Sequence, residues 1–102
     1  MESSKLPVAC SLTGPELQER RRQALRRVRE AVLEVKELDR GFGYRFPPDQ
    51  VWITELANLI TFERRCCPFL QFNVRVEPAA GPIWLELSGP EGTKDFLNSL
   101  FD

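Results

Sequence analysis

The chain has no histidine, one tyrosine and one methionine in 102 residues. Without histidine, the usual general acid/base at neutral pH, the serine and cysteine triads and every His-containing zinc site are excluded. No apolar run approaches the roughly 18 residues that cross a bilayer, and Met1-Glu2-Ser3-Ser4-Lys5 lacks the apolar stretch of a secretory signal. A cytoplasmic protein with no membrane partner is the expectation. Charge of one sign is also missing: 14 basic and 15 acidic side chains nearly cancel. That balance supplies no general attraction to nucleic acid or anionic lipid. A chain this short supports one modest core, so residues 1–102 are expected to form a single domain, with 1–12 an extended segment that carries Cys10.

The local patterns are clear enough to order the elements. Thr13, Pro15 and Glu16 form a cap, first-turn and capping-box signal. Leu17, Ala24, Leu25 and Val28 then recur at helical spacing, with a basic outer face. Leu33 and Val35 alternate with Glu34 and Lys36, Asp39-Arg40-Gly41 marks a turn, and Phe42, Tyr44 and Phe46 alternate again, which reads as a β-hairpin. Pro47-Pro48 stops that strand and Asp49 is placed to cap a second helix from about Gln50. The broad apolar face of this helix, Trp52, Ile53, Leu56, Leu59, Ile60 and Phe62, marks it as central, and Pro68 should end it.

Phe69 to Glu77 alternates cleanly and reads as a half-buried strand. Pro78-Ala79-Ala80-Gly81-Pro82 turns the chain into a fourth strand built on Ile83, Leu85 and Leu87. Ser88-Gly89-Pro90-Glu91 resembles another cap followed by a proline, ahead of a closing helix that buries Phe96, Leu97, Leu100 and Phe101. The expected fold is α+β: two hairpins in one four-stranded antiparallel sheet packed against helices, in the order α-β-β-α-β-β-α. Helix-hairpin followed by helix-hairpin hints at an internal doubling.

Chemistry concentrates in the three cysteines, Cys10, Cys66 and Cys67. On a helix Glu63 shares a face with both Cys66 and Cys67, three and four residues on. It also continues the stripe of Leu56, Leu59 and Ile60, so a carboxylate is placed at a buried face and needs a backbone N–H, an arginine or a bound cation to satisfy it. A lone buried cysteine is ordinarily an inert small hydrophobe, whereas an adjacent pair with a third thiol before a helix invites thiol chemistry. A bridge between Cys66 and Cys67 is strained, because consecutive Cα atoms lie about 3.8 Å apart. A Cys10 bridge to either one is geometrically open and, in the cytosol, would be a transient redox state.

The alternative is coordination of a soft ion. Thiolates suit Cu(I), zinc, Hg(II) and trivalent arsenic; zinc ranks below the ions of lower coordination number, since it would need Glu63 as a fourth ligand.

Cys10-Ser11-Leu12-Thr13, Glu63-Arg64-Arg65-Cys66-Cys67-Pro68-Phe69, Gly89-Pro90-Glu91-Gly92 and Phe96-Leu97 together resemble a group of small bacterial proteins associated with metal-resistance or mercury-responsive gene sets. The resemblance covers most of the chain and implies that Cys10, Cys66, Cys67 and Glu63 belong together. It supplies no established activity. Soft-ion binding through Cys10, Cys66 and Cys67, supported by Glu63, is therefore the leading expectation, ahead of a small thiol redox protein and of a non-catalytic interaction module with inert cysteines. Binding is expected before catalysis.

Three further signals have plainer readings. Six arginines at 20, 21, 22, 26, 27 and 29 read as a solvated helix face, so nucleic acid is not an expected partner, although an acidic protein partner or a homo-oligomer is open. Ser88 to Gly92 reads as a helix cap before a phosphate cradle. Trp84, set opposite Leu85 on its strand, is expected to cover a partner contact or to lie under a helix.

Overall fold

The computed structural model describes residues 14–101. Cys10, Thr13 and the extended segment expected over 1–12 lie outside them. The order is α1 (Pro15–Ala31), β1 (Glu34–Leu38), β2 (Gly41–Phe46), α2 (Val51–Cys66), β3 (Gln71–Val76), β4 (Ile83–Ser88) and α3 (Thr93–Leu100). This is the expected α-β-β-α-β-β-α arrangement. All strand pairs are antiparallel and the sheet order is β1-β2-β4-β3.

That order gives substance to the internal doubling. Each helix-hairpin unit contributes one edge strand, β1 or β3, and one central strand, β2 or β4, and the units join through their second strands. The helices of the two units run antiparallel: Arg21 near the start of α1 meets Glu63 near the end of α2, while Arg27 meets Glu55 in the reverse sense.

Residues opposed in an antiparallel register share a face. Phe42, Tyr44 and Phe46 of β2 oppose Leu87, Leu85 and Ile83 of β4, which in turn oppose Phe72, Val74 and Val76 of β3. The core forms on this face, where Leu25 and Val28 of α1, Leu56 and Leu59 of α2 and Leu97 of α3 join Tyr44, Phe46, Ile83, Leu85 and Leu87. The helices cover the middle of the sheet and leave its edges bare. Val35 on β1 and Val76 on β3 keep 57% and 52% of their surface exposed. The alternating run expected as a half-buried strand is thus an edge strand, shorter than Phe69–Glu77, with Phe72 as its one partly buried residue.

Local signals operate as physical chemistry dictates, with two differences. Asp49 Oδ1 accepts the Val51 N–H at 3.1 Å, so Asp49 does cap α2. At the other end Cys67 donates its N–H to Glu63 O at 2.7 Å and Pro68 stops the helix. The start of α1 is different: the cap position is Gly14, with φ 97° and no side-chain cap, and Pro15 opens the helix. α3 likewise begins later than expected, at Thr93. Residues 89–92 form a turn in which Gly89 donates to Arg40 O and the Thr93 hydroxyl donates to Pro90 O at 2.6 Å. A Cβ at Gly89 would lie 2.6 Å from that hydroxyl, so the turn and the helix start lock together only around a glycine.

Trp84 occupies the sheet face opposite the core, paired in register with Arg45 and Arg75. It presents little surface to a partner, being 8% exposed. The Arg75 guanidinium stacks over its ring, 5.5 Å from the centroid, and the ring edge lies beside Gly43. Around it Glu34 pairs with Arg45, and Glu86 with Arg75 and Asn73, giving this face a polar lattice.

Candidate functional site

The site is built where the start of α1 crosses the end of α2. Glu63 is 2% exposed, Cys66 3% and Cys67 fully buried. Of the three ways to satisfy that carboxylate, the protein uses an arginine. Arg21 donates Nε–H to Glu63 Oε2 at 2.8 Å and an Nη2 proton to Oε1 at 2.9 Å, a two-pronged pair.

The same Nη2 reaches Cys67 Sγ at 3.4 Å, and that sulfur lies 3.6 Å from Glu63 Oε1 in donor geometry. Guanidinium, carboxylate and thiol therefore form a closed triangle. The carboxylate accepts the thiol proton's hydrogen bond while the guanidinium faces the sulfur, so the positive charge favours thiolate character and the negative charge and burial oppose it. Arg64 and Arg65 in the last turn complement the negative end of the α2 dipole.

Glu63 and Cys67 are thus brought together as their spacing implies. Cys66 is buried on the same last turn, and Cys10 lies outside the described residues. Among the described residues, no group of three histidine, cysteine, aspartate or glutamate side chains is gathered to hold a metal ion. Both oxygens of Glu63 are already engaged by Arg21, which places the carboxylate behind the sulfur as a support.

Arg21 is the residue that sequence reasoning passed over, folded into a basic run read as a solvated face. Arg20, Arg22, Arg26, Arg27 and Arg29 are indeed exposed, while the Arg21 side chain keeps only 13% of its surface. A signal existed. Arg21 stands four residues after Leu17 and four before Leu25, on the apolar stripe itself. Leu17 sits on the same stripe one turn earlier and is 42% exposed, so the buried face of α1 effectively begins at Arg21.

Comparison with family models, curated proteins and solved structures returns no match. The site is interpreted on its geometry.

Proposed function

We propose that this protein binds a soft metal or metalloid ion through the thiolates of Cys66 and Cys67, with Cys10 completing the donor set. The observation that carries the reading is the Arg21 guanidinium held by Glu63 against Cys67 Sγ. A thiol becomes a ligand only when it loses its proton, and the guanidinium beside the sulfur offers a counter-charge to the thiolate, against the opposing carboxylate and burial. Soft ions that accept two or three sulfurs, Cu(I), Hg(II) and trivalent arsenic, suit an all-thiolate set better than zinc, which would need a fourth ligand. Glu63 serves as the anchor of Arg21, so it acts on affinity indirectly.

Cys10 is within reach on chain length alone. It precedes Gly14 by four residues, a span of up to about 14 Å, and Arg21 stands about 10 Å along α1 from its first turn.

The test is anaerobic native mass spectrometry of the reduced protein with equimolar Cu(I), Zn(II), Hg(II) and trivalent arsenic. One ion retained at one per chain, lost in Cys66→Ala and Cys67→Ala and weakened in Glu63→Gln, supports the reading. Unchanged retention in Cys66→Ala removes it. The same contact to Cys67 also favours a second reading, a small thiol redox protein in which Cys10 resolves a mixed disulfide. Failure to retain any ion, with a reversible Cys10 disulfide mapped under mild oxidation, would decide for that alternative.

A further inference from the structure

The basic run on α1 is not used up by the thiol site. Between α1 and α2 runs a groove of about 460 Å³, whose floor is Leu17, Ala24, Val28, Leu59 and Phe62. Ala24, a small side chain, lines it on the α1 side. Arg20 and Arg27 stand on its α1 rim, seven residues or about 10 Å apart. Arg27 is paired with Glu55 across the groove at 3.1 Å, closing one end. Arg21 is neutralised by Glu63. Among the described residues no acidic side chain pairs with Arg20, nor with Arg26 or Arg29 further round the helix. The groove is apolar within and positive along one lip.

We infer that this groove is a docking site for an amphipathic acidic helix of a partner protein. Such a helix buries its i, i+3, i+4 apolar side chains between α1 and α2, while a carboxylate flanking that stripe meets Arg20 on the rim. A nucleic-acid backbone would engage the arginines and leave the apolar floor unused, so the combination selects a helix. The groove adjoins the thiol site through Arg21, which lines it, whereas neither Cys66 nor Cys67 does, so peptide docking can be measured with no ion present.

The test uses the full chain and a synthetic fluorescein-labelled peptide of 18 residues with leucines at helical spacing and glutamates elsewhere. Its lysine counterpart and a scrambled glutamate–leucine peptide are the comparisons, and anisotropy is the readout. The acidic amphipathic peptide is expected to bind at least about tenfold tighter than either comparison. Arg20→Glu and, separately, Ala24→Trp, which fills the half-exposed notch, should each weaken it by about tenfold, whereas Arg26→Glu, off the groove, should change it less than about twofold. Circular dichroism of each variant confirms that it is folded. Equal weakening by Arg26→Glu would reduce the effect to diffuse charge and overturn the proposal. So would equal binding of the scrambled peptide, or no binding of any peptide to the full chain.

Discussion

Arg21 and Glu63 lie 42 residues apart in sequence and meet in a two-pronged ion pair that is nearly sealed from solvent. A buried pair of this kind contributes little net stability against an apolar replacement, but removing one partner strands the other. Arg21→Ala is therefore expected to cost about 3–5 kcal/mol, and Glu63→Gln less, because the neutral amide still accepts one bond. Lysine at 21 should not restore the loss, since a single ammonium cannot span both oxygens. The double variant Arg21→Met with Glu63→Leu should be more stable than Arg21→Ala. Urea denaturation of the four proteins checks this; a double variant as unstable as the sum of the single losses would show that the pair is not the dominant interaction.

The turn between β3 and β4 stores a different kind of cost. Ala79 and Ala80 both have positive φ, 59° and 56°, and Gly81 donates back to Pro78 O at 3.1 Å. Two successive left-handed residues match the strand twist of a two-residue hairpin, a place where Asn-Gly is favoured and alanine disfavoured by about 1–2 kcal/mol per residue. Ala79→Asn with Ala80→Gly is expected to stabilise the protein by about 1–2 kcal/mol, raising Tm by several degrees. Calorimetry showing no gain would mean that the turn is not strained.

Contacts within a few residues and contacts across the fold differ in how far the sequence shows them. Local signals, the alternation from Phe42 to Phe46, the stop at Pro68 and the Asp49 cap, act within a few residues and are legible. Alternation at Val74 and Val76 shows a strand but not its place at the sheet edge, which depends on the order β1-β2-β4-β3 and on how far the helices reach across it. The spacing of Glu63 to Cys67 foretold their contact; the partner of Glu63 was one of six arginines in a single run, and only its phase on the Leu17–Leu25 stripe distinguishes it. The start of α3 at Thr93 departs from the local signature for a related reason. Ser88 and Pro90 carry the local signature of a helix start, but the Gly89 turn is held by Arg40 and Thr93, contacts that a reading of neighbours does not reveal.

Tyr44 is the protein's one tyrosine, so its titration can be followed alone. It is buried against Phe101, with ring centroids 5.1 Å apart, and that burial pushes its phenol pKa well above the ordinary value. The folded value being the higher one, the stabilising contribution is complete below about pH 10 and is lost as pH rises from there toward the folded value. Absorbance at 295 nm should show phenolate appearing near pH 10 in urea and only together with unfolding in the native protein. The unfolding free energy should fall with pH across that window. A native-state titration midpoint near 10 would contradict the burial.

Two glycines on the same strand should respond in opposite ways. A Cβ at Gly41 would stand 1.8 Å from Leu87 O, a backbone atom that can move only if β2 and β4 separate. At Gly43 the nearest atoms are Glu86 Cγ at 3.5 Å and the Trp84 ring at 3.6 Å, ordinary contact distances. Gly41→Ala is thus expected to cost at least about 2 kcal/mol and to weaken amide protection along the β2–β4 ladder. Gly43→Ala should stay within about 0.5 kcal/mol of the parent. Because β2–β4 joins the two helix-hairpin units, loss at Gly41 should also loosen the crossing of α1 over α2 that sets Arg21 against Cys67. Hydrogen exchange compared between the two variants tests the chain of dependence: a Gly41→Ala protein with native protection in β2 and β4 would show that the close approach is relieved without opening the sheet.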